Sequence, residues 1–209
     1  HKIAILFETA EYSVGIKDSF TPEFIKGSGN LILATEGVGA NETDMRSQLL
    51  KLSAAKPEAI VILMNSTVTA NSFIKQFTEL GLKLPVFGNE YFGFDVVLKN
   101  PSANGMYATQ YLYDQKNPAY VNYLAEYKTT YGKDPSQAIY AALPFDGYNV
   151  LAQAIETCAG DEPACVRDAL YDIKGYQGIT GVITLDAKGD TEREFTLRKI
   201  SNGALIDVK

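Results

Sequence analysis

Apolar and polar positions follow two different patterns in the two halves of the chain. The clearest stretch lies between Pro57 and Phe92. Ala59–Met64 is a continuously apolar run, the signature of a strand buried on both faces of a parallel sheet. Asn65, Ser66 and Thr67 then offer side-chain oxygens that can cap a helix. Ala70, Phe73, Ile74, Phe77 and Leu80 recur at three- and four-residue spacing and share one helix face. Gly81 ends that helix, and Leu84–Gly88 reads as the next strand. A crossover of this kind is almost always right-handed and makes the two strands parallel.

The same alternation extends on both sides. Lys2–Phe7 is a strand, followed by a helix from Tyr12 or Ser13 to about Gly27 with Val14, Phe20, Phe24 and Ile25 on its apolar face. Asn30–Thr35 is a second strand. A helix from about Asp44 to Ala55 follows, capped by Asn41 or Thr43. Tyr91–Lys99 reads as a short helix or turn, and Gly105–Gln110 as a fifth strand. Residues 1–110 therefore predict a doubly wound α/β layer sandwich with a mainly parallel sheet.

Beyond Tyr113 the pattern changes. Pro118–Tyr131, Ser136–Thr157 and Glu162–Ile173 read as helices, and Pro144 is expected to kink or break the second. Gly175–Thr184 is a loop and strand. Glu194–Ile200 and Ala204–Val208 are strands joined by the hairpin signal Ser201–Asn202–Gly203. Helices 114–185 carry apolar faces but little sheet to bury them against.

Composition narrows the function. The chain has 209 residues and a formal net charge of −6, which argues against nucleic acid and against an anionic membrane surface. No apolar stretch reaches the roughly 18 residues of a membrane-spanning helix. The Gly37–Val38–Gly39 loop lacks the third glycine of a dinucleotide fingerprint and serves as loop punctuation. There is no nucleophile elbow and no phosphate loop, and the only histidine is His1. An enzyme is therefore disfavoured, and neither metal nor cofactor is expected. Cys158 and Cys165 flank a turn-forming stretch. They read as a local disulfide in a secreted protein, or as two thiols in a cytosolic one.

Three residues stand just past the carboxyl ends of predicted strands: Tyr12, Ser66 and Glu90, with Asn65 beside Ser66. In open α/β sheets ligands bind at that edge. A carboxylate, a hydroxyl and an aromatic ring there suit an amino acid, whose ammonium needs a counter-charge.

Several stretches, in order, resemble type I periplasmic solute-binding proteins of ABC transporters, above all those for leucine, isoleucine and valine. They are KIAILFETAEYSVGIKDSF, GANETDMRSQLLKLSAAKPEAIVIL, FIKQFTELGLKLPVFGNEYF, DPSQAIYAALPFDGYNVLAQAI and GVITLDAKGDTEREFTLRKI. The resemblance covers nearly the whole chain but only the C-terminal two thirds of such a protein. It implies two lobes with a ligand between them. Residues 1–112 and 189–209 would form the second lobe, and 113–188 an incomplete returning part of the first. The opening lobe segment and a signal peptide would lie upstream, in a periplasmic or extracellular protein that serves a membrane permease.

The resemblance also implies roles. Glu90 matches the acid that holds a ligand ammonium. Tyr12 matches an aromatic wall, with Ser13 where the family has glycine. Ser66 and Asn65 match a pocket-lining position that is tyrosine in branched-chain binders. Tyr140 resembles a cleft aromatic of the returning segment. The grip on the ligand carboxylate would come from the missing segment, so weak binding by this chain alone is expected. A ligand-sensing domain of a receptor or regulator is the alternative reading, and the uncovered helices suggest a possible homodimer.

Overall fold

A computed structural model describes residues 1–208. They form two compact units, residues 1–110 with 195–208, and residues 111–194.

The first unit is built on β1 (Lys2–Glu8), β2 (Leu31–Val38), β3 (Ala59–Leu63), β4 (Val86–Gly88), β5 (Tyr107–Tyr111), β8 (Phe195–Ser201) and β9 (Ala204–Asp207). The sheet order is β2-β1-β3-β4-β5-β8-β9. Strands β1 to β5 pair in parallel, and β8 and β9 close the edge as an antiparallel hairpin. The hairpin turns at Asn202 and Gly203, both with positive φ. This is the mainly parallel, helix-flanked α/β sheet that the alternating pattern predicts.

The unbroken apolar run in β1 has a direct cause, because successive side chains serve different faces. Ala4 and Leu6 join a core with Leu49 and Leu52 of α2 (Arg46–Ala54) and Phe73, Ile74 and Phe77 of α3 (Thr67–Glu79). Ile3 and Ile5 join a second cluster with Ile16, Phe20 and Phe24 of α1 (Glu11–Ile25). One face of the sheet thus carries α2 and α3, and the other carries α1. Each fully buried Ile, Leu or Phe contributes roughly 1.5–3 kcal/mol over exposure. The edge strand β2, with a partner strand on one side only, leaves Leu31 and Leu33 exposed.

Two expectations need correction. The start of α2 carries no side-chain cap from Asn41 or Thr43. Asn41 adopts φ 57° and spends its N–H on Glu8. The orphan N–H of Met45 is met instead by Gln76 Oε1 of α3 at 2.8 Å, while Gln76 Nε2 donates to the Thr43 carbonyl. Of the kink or break expected at Pro144, the break does not occur, since α6 runs from Ala138 to Thr157 with the proline inside it.

The second unit packs α6 against α7 (Pro163–Asp172) and the ribbon of β6 (Tyr176–Gly178) and β7 (Gly181–Ile183). α5 (Pro118–Tyr131) completes it and ends at Gly132 in the left-handed region. Buried Asp146 of α6 accepts from the Ile179 and Thr180 backbone N–H groups at 2.8 and 2.9 Å, fastening helix to ribbon. Cys158 and Cys165 are joined as a disulfide across the α6–α7 turn. The opposite side of α6 leaves Phe145, Tyr148, Leu151 and Ile155 exposed.

Candidate functional site

The carboxyl ends of the parallel strands in the first unit carry the polar groups. β4 ends at Gly88, and the chain turns at once into a 3-10 turn, Glu90–Gly93. Two glycines make this possible. A Cβ on Gly88 would fall inside the Phe92 ring, and one on Gly93 would meet the Gln110 amide. Phe92 is therefore drawn fully into the core beneath β4, edge-on to Phe73 at 6.0 Å. Gln110 of β5 donates to the Glu90 carbonyl at 3.2 Å.

Asn89 fixes the turn to the neighbouring strand. It is buried, its Oδ1 accepts from the Met64 N–H at 3.2 Å, and its Nδ2 donates to the Met64 carbonyl at 2.7 Å. Position 90 then reaches the rim with little freedom. Glu90 is only 6% exposed. The Tyr12 hydroxyl, from the first turn of α1, donates to Glu90 Oε1. Burial pushes the Glu90 carboxyl above its ordinary value, and the Tyr12 hydrogen bond pulls it back down. Among the described residues no ion pair involves Glu90.

Glu8, the last residue of β1, is a second buried carboxylate on this rim. Its two oxygens accept from the Asn41 N–H at 3.1 Å and the Asn65 N–H at 2.8 Å. It thereby ties the loops after β2 and β3 to the end of β1. Asn65 Oδ1 in turn lies 3.4 Å from the Tyr91 hydroxyl, a long hydrogen bond. The Tyr91 ring stacks on Phe94 at 4.9 Å and meets Tyr12 edge-on at 6.5 Å. Burial raises the Tyr91 pKa, and the charges of Glu90 and Glu8 raise it further. The rim therefore joins an aromatic wall to an anionic floor.

The structure brings Tyr12 and Glu90 into direct contact and sets Asn65 one residue away, against Tyr91. Ser66 acts as a helix cap: its Oγ accepts from the Thr69 N–H at 3.1 Å and lies 2.9 Å from Thr69 Oγ1. Tyr140 lies in the second unit on α6, edge-on to Tyr111 at 6.0 Å. Glu8, Tyr91 and Gln110 escape a reading of the sequence, as do the bonds of Asn89, itself legible just past the strand Leu84–Gly88, to Met64. A signal exists for Glu8, a charge ending an otherwise apolar strand. The others depend on long-range partners.

A groove of about 1310 Å³ runs along the α1 face of the same unit. It extends from His1 and Glu58 at the amino ends of the strands to Tyr12, Asn89 and Glu90 at their carboxyl ends. Its walls are mostly apolar side chains of the sheet and of α1. No helix among the described residues is long and apolar enough to cross a membrane.

Comparison with known proteins adds the following. The family model described as "Periplasmic binding protein" matches residues 1–204. A Leu/Ile/Val-binding protein homolog 2 of Brucella abortus is 24% identical over 196 residues, covering 90% of this chain and 50% of its own. The chain spans about half the length of the curated relatives it matches. A leucine binding protein of Thermotoga maritima superposes with a TM-score of 0.84 at 21% identity, covering 98% of this chain and 59% of its own. A branched-chain amino acid transporter substrate binding protein of Streptococcus pneumoniae, solved with isoleucine, gives 0.75 at 22% identity, covering 98% and 58%.

Proposed function

Because this chain belongs to the periplasmic binding protein family, we propose that it is the ligand-binding part of an extracytoplasmic solute receptor. It would deliver an amino acid to the membrane permease of an ABC importer. The ligand class is a branched-chain or related amino acid, and its ammonium is received by Glu90.

One observation carries the reading. Glu90 is a nearly buried carboxylate at the rim whose neighbour is a neutral phenol, Tyr12. A desolvated carboxylate without a cation is costly. A ligand ammonium placed there supplies the missing charge in a charge-assisted hydrogen bond, the stronger kind. Tyr12 and Tyr91 offer ring surface for an apolar side chain beside it. The names of the matched relatives, which bind leucine or isoleucine or bear Leu/Ile/Val in their description, support the same ligand class.

The experiment is a titration of the chain with a panel of L-amino acids, followed by calorimetry and by amide and tyrosine NMR shifts. Branched-chain amino acids are expected to shift signals of Tyr12, Glu90 and Tyr91, and Glu90→Gln is expected to abolish the effect. Binding that survives Glu90→Gln unchanged, or shifts confined to other surfaces, refutes the assignment.

A further inference from the structure

We propose that the disulfide between Cys158 and Cys165 is a thiol-operated latch for α7. Oxidised, it holds the helix on the second unit. Reduced, it lets α7 leave while α6 and the β6–β7 ribbon keep their fold. The proposal is independent of what Glu90 binds.

Little else holds α7. None of its ten residues is buried. Val166, Ala169 and Leu170 reach the small core around Val150, Ala154 and Ile183, and each stays half-buried. The polar groups of the helix turn to one another instead. Glu162 accepts from the Cys165 N–H at 2.8 Å, and Arg167 pairs with Asp168. Among the described residues no hydrogen bond and no ion pair joins α7 to α6 or to the ribbon. A helix of this length is marginal by itself, since about 12–15 residues are needed even in favourable sequences. Asp172 in its last turn also stands at the negative end of the helix dipole.

The ribbon is held differently. The Ile179 and Thr180 N–H groups and the Thr180 hydroxyl all donate to buried Asp146 of α6. Arg193 donates to the Thr180 hydroxyl oxygen at 2.9 Å. None of these bonds passes through α7, so the second unit keeps the ribbon when the helix goes.

The two cysteines stand where a latch needs them. Cys158 closes α6, and Cys165 lies in the first turn of α7, exposed to an attacking thiol. Between them Ala159 takes φ 51°, the left-handed conformation that glycine favours after a helix. Its N–H donates to the Glu156 carbonyl at 3.1 Å, and the Gly160 N–H to that of Ile155 at 3.3 Å. An alanine held this way is strained. Opening the bridge lets the turn relax, which favours release.

The reductant is a dithiol. Its thiolate attacks the Cys165 Sγ, the S–S bond breaks, and Cys158 leaves as a thiolate that takes up a proton. The second thiol of the reductant loses its proton and attacks the reductant's own sulfur in the mixed disulfide. The reductant leaves as a disulfide, and the Cys165 thiolate is released and protonated. Two electrons and two protons have passed to the protein. Opening a loop of sequence separation 7 moves the balance between docked and free α7 by about seventyfold.

The test is amide exchange read by mass spectrometry, with and without dithiothreitol, together with brief trypsin digestion. On reduction the amides of residues 163–172 are expected to exchange at least about tenfold faster, while those of Ile179, Thr180 and α6 change by less than about threefold. Trypsin is expected to cut at Arg167 and Lys174 only in the reduced protein, and reoxidation is expected to restore protection. Replacing both Cys158 and Cys165 by Ser, without reductant, is expected to give the reduced pattern. Unchanged protection of α7 after reduction overturns the proposal, as does a bridge that dithiothreitol leaves intact in the folded protein. Loss of protection by α6, ribbon and α7 together also overturns it, because the unit then unfolds as one and nothing is latched.

Discussion

Replacing Asn89 by Ala separates the scaffold of the rim from its chemistry. The side chain spans β4 and β3 by giving and receiving one hydrogen bond each with the Met64 backbone, at 2.7 and 3.2 Å. Met64 is fully buried, so water does not replace the lost partner. Each orphaned backbone group costs about 1–3 kcal/mol. The two together give about 2–6 kcal/mol, and we take about 3 kcal/mol as the expected loss. With a urea slope of about 2 kcal/mol/M, the midpoint of the first unit falls by about 1.5 M. The assay is urea unfolding followed by circular dichroism, with amide exchange at Met64 as the local probe. Asn89→Leu is the control, since it restores volume without polarity and is expected to lose a similar amount. A change under about 0.5 kcal/mol for Asn89→Ala, or unaltered exchange at Met64, would show that the two bonds do not hold the rim.

Other tests address different parts of the molecule. Glu90 gives opposite pH slopes for stability and binding. Its folded-state pKa is raised by burial, so the folded state holds the proton more tightly than the unfolded one. Stability therefore rises as pH falls through the window between the ordinary glutamate value and the raised one, and that gain is lost as pH rises through the raised value. Affinity for an ammonium ligand moves the other way, growing as the carboxylate ionises. Glu90→Gln is expected to flatten both profiles, checked by thermal melts and titrations across mildly acidic pH. Replacing both Cys158 and Cys165 by Ser opens a short loop, sequence separation 7, and is expected to cost about 2.5 kcal/mol in the second unit only. Differential scanning calorimetry with NMR of both units tests this, and a loss in the first unit would contradict it. Gly88→Ala puts a methyl into the Phe92 ring and is expected to destabilise by about 1–3 kcal/mol. Gly15→Ala in α1 meets nothing within 4 Å and is expected to stabilise by about 0.5–1 kcal/mol. Denaturant midpoints of the pair decide whether the distinction holds.

What the sequence shows is what local chemistry decides. The unbroken run Ala59–Met64 is legible as β3 because a parallel strand has two buried faces. Ala70, Phe73, Ile74 and Phe77 all lie in the core, since a period near 3.6 fixes one helix face. Ser66 is legible as a cap because that bond closes within four residues. Tyr12 and Glu90 are legible as rim positions from strand order alone, but their mutual hydrogen bond spans 78 residues. Distance along the chain also hides the true start of α2. Gln76 satisfies Met45 from 31 residues away, so the nearby Asn41 and Thr43 mislead. Glu8 falls just outside the strand Lys2–Phe7 that the pattern predicts, yet its carboxylate is consumed by two backbone amides from other loops. Pro144 looks like a break because propensity argues against it. In α6 the packing of Val150 and Ala154 against α7 and its ribbon outweighs that local preference.

The turn that follows β4 also bears on how the chemistry of the rim can be altered. Phe92 plugs the interior while Gly88 and Gly93 make way for it, so the segment is anchored from below. Letters 90 and 91 then work like interchangeable type in a fixed frame. A substitution at 90 or 91 can therefore change the charge and shape of the rim while leaving the hydrophobic foundations undisturbed.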